Sequence, residues 1–285
     1  MATVRNPSVA GYFYEGDREG LLKRLEWCFL HKLGPGKLPK LVEEGPRKVL
    51  GIVSPHAGYI YSGPIAAHGY YYLASDGAPD LVVMIGPNHH GIGAPISVYP
   101  EGVWRTPLGE VEVDAEIAEN VAEAAKGLIE LDREAHLLEH SLEVQLPFLQ
   151  YIYGKKFRIL PITMLSQNVY ACEELGEALI NSLSGRNFVI IASSDFTHYE
   201  SYEKARRKDK LAIDAILSLE HRKLYETVVT HDITMCGYGP VMVLMYVAWK
   251  LDGFKAKVLK YATSGDISGN KATVVGYASI VFERT

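Results

Sequence analysis

Histidines follow three apolar runs of the sequence, at the point where each predicted strand ends. His56 follows V-L-G-I-V-S-P, the pair His89 and His90 follows D-L-V-V-M-I-G-P-N, and His198 follows F-V-I-I-A-S-S-D-F-T. Because the carboxyl ends of strands in an open α/β sheet meet at one edge, we expect these side chains to lie close together. Imidazole is the commonest metal ligand and titrates near neutral pH, so the pattern indicates metal binding, acid/base chemistry or both.

Cys236 and Asp195 are the other reactive side chains that the sequence places near predicted element ends. Cys236 precedes a helix predicted from Pro240 to Leu251, where the helix dipole and unpaired N–H groups favour a thiolate. A buried, unreactive thiol is the alternative. Asp195 lies shortly before His198 and is predicted to orient it as a general acid or base, the alternative being a helix-capping Asp beside a surface histidine.

Four further residues are predicted to contact a substrate or to support the ligands: Tyr59, His90, Glu139 and His140. Glu139 and His140 open a helix predicted to extend to Tyr151, so His140 can point into the same crevice. His136 lies one helical turn earlier, but the chain between them is not predicted to be continuous helix, so a metal-binding pair on one helix face is not expected. The sequence has no G-x-S-x-G elbow and no Gly-rich phosphate loop, so a serine hydrolase or a nucleotide site is not indicated.

Strand and helix patterns alternate along the whole sequence, without repeats or low-complexity tracts. This alternation predicts a single α/β domain over residues 1–285, with a mixed, mostly parallel central sheet and helices on both faces. Asp17 and Asp114 are predicted to cap helices, the first of which ends near Leu33. A hairpin is predicted near Trp104.

The composition excludes several classes of protein. The chain has 285 residues, of which 48% are hydrophobic, enough for a sizeable core. Its net charge of -5 and its scattered Lys and Arg give no basic surface for nucleic acid. No apolar run approaches the ~18 residues of a membrane span, and the first residues lack the apolar core of a signal peptide. We therefore expect a cytoplasmic protein that contacts neither nucleic acid nor membrane.

Several separated motifs resemble the Memo family in sequence and in order. They are A-G-Y-F-Y (10–14), S-P-H-A-G-Y (54–59), G-P-N-H-H (86–90), L-E-H-S-L-E-V-Q-L-P (138–147), S-S-D-F-T-H (193–198) and M-C-G (235–237). The match spans nearly the whole chain. The family resembles the catalytic subunit of class III extradiol dioxygenases, which hold non-haem Fe(II) through two histidines and a carboxylate. The resemblance therefore implies an extradiol-dioxygenase-like fold.

The resemblance also implies roles for individual residues. His56 and His89 match the two metal-binding histidines, and His198 matches the acid/base histidine. Cys236 lies where the dioxygenases have their ligating glutamate. A thiolate in place of a carboxylate makes the site softer, which favours copper, particularly Cu(I), or zinc. The implied cofactor is one transition metal ion, copper or iron with zinc as a further option, and the leading function is a redox reaction involving O₂.

Other functions stay open at this point. Some Memo proteins bind phosphotyrosine peptides, so the resemblance also implies a crevice that binds a peptide or small molecule without turnover. In prokaryotes the family is associated with a radical-SAM partner, which implies a role in a modification system. A zinc hydrolase ranks third: two histidines and a cysteine suit catalytic zinc, but the sequence shows no obvious carboxylate base beyond Asp195.

Overall fold

The computed structural model describes residues 3–285 and confirms the alternation of strands and helices that the sequence predicts. Residues 1 and 2 of the predicted domain lie outside the described residues. The strands are β1 (Val4–Arg5), β2 (Val49–Ser54), β3 (Leu81–Pro87), β4 (Ile96–Val98), β5 (Val103–Thr106), β6 (Gly109–Glu112), β7 (Ile129–Leu131), β8 (Arg158–Met164), β9 (Phe188–Ser193), β10 (His198–Glu200), β11 (Phe254–Thr263) and β12 (Val274–Arg284). The helices are α1 (Arg18–Leu30), α2 (Tyr59–Asp76), α3 (Ala115–Ala124), α4 (Glu134–Leu137), α5 (His140–Glu143), α6 (Leu146–Tyr153), α7 (Val169–Ser182), α8 (Tyr202–Leu217), α9 (His221–Thr230), α10 (Tyr238–Leu251) and α11 (Ser264–Ser268).

Within residues 3–285, nine strands form one sheet in the order β10-β12-β2-β9-β3-β8-β4-β7, with β11 beside β12. The centre of this sheet, β2-β9-β3-β8, is parallel, whereas β12 and β4 pair antiparallel with β2 and β8. The predicted mixed sheet is confirmed, and its parallel pairings are concentrated in the centre. Because β2 and β12 lie side by side, early and late parts of the chain share one α/β domain.

The central strands end next to one another. In the parallel register, Ser54 of β2 lies beside Ser193 of β9, and β9 pairs in parallel with β3 along its length. The loops that follow these strands therefore begin at the same edge of the sheet, as expected for an open α/β sheet. The loops after β2 and β3 carry His56 and His89, and the segment after β9 leads to His198, the first residue of β10.

Helices cover both faces of the sheet, as predicted. Side chains alternate along β3: Val83 and Ile85 belong to one buried apolar cluster, and Val82 and Met84 belong to another. The first cluster includes residues of α3, α7, α8, α9 and α10, and the second includes residues of α1, α2 and α6. The parallel strands are therefore buried on both faces, which explains why their sequences are almost continuously apolar.

The sequence predicts one helix from Glu139 to Tyr151, with Pro147 near its start or at a kink. The single helix is wrong, because the chain forms two helices, α5 and α6, with a break between them. Pro147 lies in the first turn of α6, where its fixed φ favours a helix start and its missing N–H is not needed. At the break, Gln145 Nε2 donates to the Pro55 carbonyl over 3.1 Å and to Ser193 Oγ over 2.8 Å. The break thus ties this segment to the loop after β2 and the end of β9.

Smaller local predictions are also confirmed. The side chains of Asp17 and Asp114 accept backbone N–H groups at the starts of α1 and α3, and β5 and β6 form the hairpin around Trp104. Helix α1 ends at Leu30, earlier than predicted, because the backbone of His31 is extended, with ψ of 150°. In the described part of the chain, no helix combines the length and the apolarity that crossing a membrane requires.

We expect Gly237→Ala to destabilise the protein by about 1–3 kcal/mol, the usual cost of overpacking. A Cβ at Gly237 would lie 2.2 Å from the Ser193 carbonyl oxygen and 2.8 Å from Ser194 Cβ, so the end of β9 and the start of α10 would have to separate. Urea unfolding measures this change. Gly16→Ala is the control, because its Cβ would lie no closer than 3.5 Å to any of its neighbours. Equal destabilisation of both variants would contradict the steric explanation.

Candidate metal centre

Three imidazoles converge at the carboxyl edge of the sheet. His56 follows β2, His89 follows β3, and His140 is the first residue of α5. Each ring offers a ligand nitrogen, and these nitrogens lie within 4.8 Å of one another. The ring centroids of His56 and His89 are 5.3 Å apart, and those of His89 and His140 are 4.6 Å apart. Because metal–nitrogen bonds are about 2 Å long, one ion fits between nitrogens at this spacing.

The buried imidazole of His56 is held by β9 and the loop that follows it. Its Nδ1 lies 2.8 Å from Ser193 Oγ, and its backbone N–H donates to Asp195 Oδ1 over 2.8 Å. Its Nε2 lies 3.1 Å from Cys236 Sγ. One ring nitrogen therefore contacts the scaffold while the other faces the thiol, which brings two of the predicted ligands together.

Glu139 orients His89 with both of its carboxylate oxygens. Oε1 lies 2.9 Å from His89 Nδ1, and Oε2 accepts the His89 backbone N–H over 2.7 Å. Burial alone would raise the pKa of Glu139, but the hydrogen bonds from His89 and the nearby imidazole charges hold this pKa well below its ordinary value. The charged carboxylate occupies Nδ1 of His89, so Nε2 is available to bind a metal ion. Carboxylates next to metal-bound histidines act in the same way.

Burial favours the neutral form of the His56 and His140 imidazoles at pH 7. Burial lowers the pKa of His140 to about 4, and it lowers the pKa of His56 well below its ordinary value. Neutral imidazole is the form that binds metal ions. The ring of Phe13 lies against His140, with 4.8 Å between centroids, so the amino-terminal segment forms one wall of the site.

Cys236 lies directly before Gly237, the N-cap of α10, as the sequence predicts. Its Sγ accepts the Asp195 backbone N–H over 3.3 Å. Burial raises the pKa of the thiol, and the negative charge of Asp195 adds to this effect. Burial therefore opposes the helix dipole and favours the thiol over the thiolate, which is the alternative that the sequence leaves open. Metal binding to a thiol releases its proton.

Asp195 and His198 contact different neighbours. The buried carboxylate of Asp195 accepts the His56 N–H, whereas Nδ1 of His198 lies 2.7 Å from the Thr234 carbonyl oxygen. The backbone N–H of His198 also donates to Thr234 Oγ1 over 2.7 Å. Burial raises the pKa of Asp195 to about 6. The orienting contact predicted between Asp195 and His198 is therefore made by Thr234, while Asp195 supports the His56 loop.

Tyr59 and His90 hold the surrounding scaffold. The hydroxyl of the buried Tyr59 donates to the Val144 carbonyl over 2.5 Å, and Nε2 of the exposed His90 lies 3.0 Å from the Leu138 carbonyl oxygen. These contacts tie α2 and the loop after β3 to the segment that carries Glu139. Both residues thus support the segment behind the ligands.

Comparison with known proteins identifies the family. A family model described as Memo-like protein matches residues 5–281. A MEMO1 family protein of Sulfurisphaera tokodaii is 48% identical over 283 residues, covering 98% of this chain and 99% of that protein. A MEMO1 family protein of Methanopyrus kandleri is 47% identical over 282 residues, with the same coverage. This chain belongs to the Memo family.

The fold of this Memo family member is similar to that in the crystal structure of an uncharacterized protein from Escherichia coli K12. The TM-score is 0.54 and the sequence identity 14%, over 82% of this chain and 99% of that chain. At this identity the likeness concerns the fold alone. It is consistent with the extradiol-dioxygenase-like fold that the family resemblance implies.

The structure gives His140 a more central position than the sequence predicts for it in this Memo protein. Its ring lies among the candidate ligand nitrogens, whereas the sequence indicates a supporting role. The feature of the sequence that indicates this position is the place of His140 at the start of a predicted helix, where a side chain can point towards the edge of the sheet. Ser193, Gln145 and Thr234 gave no comparable signal, because their contacts depend on strand register and on the break before α6.

His136 lies in the core, a position that the sequence does not predict. Its Nδ1 is 2.9 Å from the Asp132 carbonyl oxygen, and its ring packs against those of Tyr99 and Trp104. Burial lowers the pKa of His136 to about 4. The folded protein therefore keeps this imidazole neutral at a pH where the unfolded chain protonates it.

We expect His136 to reduce stability as the pH falls from about 6.5 towards 4, because protons bind the unfolded state more readily in this range. His136→Asn keeps a donor for the Asp132 carbonyl and should remove about 3 kcal/mol of this pH dependence, at about 1.4 kcal/mol per pKa unit. Urea unfolding of the metal-free protein near neutral pH and near pH 4 measures the difference from wild type. His231→Asn is the control, because His231 is exposed, and it should lose as much stability in acid as wild type does. The prediction fails if His136→Asn also loses as much stability in acid as wild type.

Proposed function

We propose that this Memo protein is a metal-dependent oxidoreductase that binds one transition metal ion through His56, His89 and Cys236, with His140 as a further nitrogen donor. The convergence of the imidazoles carries this proposal, because nitrogens of His56, His89 and His140 lie within 4.8 Å of one another. Cys236 is not part of that group, but its Sγ lies 3.1 Å from His56 Nε2. These residues come from separate parts of the sequence. Imidazole and thiol groups suit transition metals, whereas magnesium and calcium prefer oxygen ligands.

The contacts behind the imidazoles support metal binding over simple packing. Ser193 engages Nδ1 of His56, and Glu139 engages Nδ1 of His89, so both rings direct Nε2 away from the scaffold. Hydrogen bonds of this kind fix the tautomer and the orientation of metal-bound histidines. Histidines that only fill the core do not need hydrogen bonds that direct the Nε2 atoms of two rings towards one point.

The sulfur of Cys236 guides the choice of metal. A thiol makes this donor set softer than the two histidines and carboxylate of the dioxygenases, which supports copper or zinc ahead of iron. When bound, copper or iron supplies one-electron chemistry that the side chains alone lack. Zinc has no redox chemistry and would leave only Lewis-acid catalysis.

His198 is proposed to transfer protons. Because its Nδ1 donates to the Thr234 carbonyl in the neutral ring, Nε2 carries the lone pair that accepts a proton. Asp195, with its pKa raised by burial to about 6, provides a carboxylate beside His56 that changes charge near neutral pH. These two groups can exchange protons with a small molecule or peptide bound in the crevice.

We expect protein purified without chelators to contain about one equivalent of copper or iron per chain. The variants His89→Ala, His140→Ala and Cys236→Ser should each weaken Cu(I) binding by more than about tenfold. Removing a residue that hydrogen-bonds to a metal ligand already costs about tenfold or more in affinity, and removing the ligand itself should cost at least as much. Elemental analysis and Cu(I) competition titration measure the two quantities. His231→Ala is the matched control, because His231 is an exposed histidine at the end of α9.

Two results would contradict the proposal in different ways. If no metal co-purifies, and Cu(I), Fe(II) and Zn(II) bind equally weakly to wild type and His89→Ala, the metal centre is absent. If zinc is the metal that co-purifies, and copper loaded in its place shows no change in its electron paramagnetic resonance signal on reduction, the metal centre stands but the redox function fails.

A further inference from the structure

Arg5 is a fully buried charge close to the candidate metal centre, although the sequence gives it no apparent role. Its side chain is 1% exposed. Nε and Nη2 donate to the His136 carbonyl over 3.1 and 3.0 Å, and Nη2 also donates to the Glu139 carbonyl over 2.9 Å. Nη1 pairs with the carboxylate of Glu143, and the guanidinium lies over the Trp104 ring at 4.5 Å. The guanidinium thus holds the main chain at both ends of the turn between α4 and α5.

Glu143 joins the same network from the other side. Its Oε2 accepts Arg5 and the backbone N–H of Ser8, while its Oε1 accepts the Val9 N–H over 3.0 Å and the Tyr14 hydroxyl over 2.7 Å. These bonds fasten residues 5–14 to α5. The same segment carries Phe13, whose ring packs on His140.

We propose that Arg5 is a positioning residue for the metal centre, acting on His89 through Glu139 and on His140 through the segment that Glu143 fastens. Arg5 fixes the carbonyl of Glu139, and the carboxylate of that same residue holds both Nδ1 and the backbone N–H of His89. A shift of the Glu139 main chain would therefore move the carboxylate and release the ring of His89. This inference rests on the proposed metal site, although the first link, from Arg5 to His89, exists without a metal.

Arginine is needed here because several acceptors must be bound at once. A planar guanidinium presents five N–H donors in a fixed fork, whereas a lysine ammonium presents a single point charge on a flexible stem. Arg5→Lys can keep the charge pair with Glu143. It cannot also hold the carbonyls of His136 and Glu139 in the same geometry.

The experiment compares Arg5→Lys with Arg47→Lys. Arg47 is a matched control: it pairs with Asp76 and donates to Asn187 Oδ1 and the Phe188 carbonyl, but it lies where β2 and β9 begin, at the opposite edge of the sheet. Cu(I) competition titration and the visible absorption bands of bound Co(II) report on the metal centre. Long-range ¹⁵N–¹H NMR of the histidine rings in the metal-free protein reports on His89, whose Nδ1–H form Glu139 should stabilise.

We expect Arg5→Lys to weaken Cu(I) binding by about tenfold, the lower end of the range for groups behind a metal-bound histidine. Its Co(II) bands should shift, and the His89 ring should show a mixture of tautomers. Arg47→Lys should match wild type in all three readouts even if it loses as much stability to urea. If Arg5→Lys does not fold, Glu143→Gln, which loosens the same network, should change the same readouts in the same direction.

Unchanged metal affinity and an unchanged His89 ring in these variants would overturn the positioning role. Equal effects of Arg5→Lys and Arg47→Lys would also overturn it, because they would indicate general destabilisation. If wild type binds neither Cu(I) nor Co(II), the proposed function fails. The NMR comparison in the metal-free protein then decides alone whether Arg5 positions His89.

Discussion

The buried carboxylate of Glu139 is the contact on which the candidate metal centre depends. A buried charge is costly unless partners replace the lost water, and here two N–H groups of His89 and the Ser141 N–H supply them. The pKa of Glu139 falls below its ordinary value, so these interactions outweigh the cost of burial. A single side chain therefore starts α5, fixes the ring of His89 and sets His140 beside it.

Two larger features bring the partners of Glu139 together. The parallel register of β2, β9 and β3 places the loops with His56 and His89 at one edge of the sheet. The hydrogen bonds of Arg5 and Glu143 then hold the amino-terminal segment against α4 and α5. Backbone strands thus set the approximate positions of the ligands, and buried ionic contacts set their orientation.

The sequence was sufficient for most of the elements and for two of the three converging imidazoles. His56 and His89 each follow a buried apolar strand and a proline, so their place at the sheet edge follows from local pattern. Long-range contacts determine the rest: Arg5 and its carbonyl partners are more than a hundred residues apart, with a separation of 131 to His136. The sequence also leaves the protonation state of Cys236 open, because it shows the helix dipole but not the burial that opposes it.

Membership of the Memo family is established by the match over nearly the whole chain, and the central claim that remains is that sulfur and imidazole share one metal ion. X-ray absorption spectroscopy of the copper- or zinc-loaded protein tests this most directly. We predict one sulfur neighbour at about 2.3 Å and two or three nitrogen neighbours at about 2.0 Å. A metal with only oxygen and nitrogen neighbours, or the same spectrum in Cys236→Ser, would contradict it.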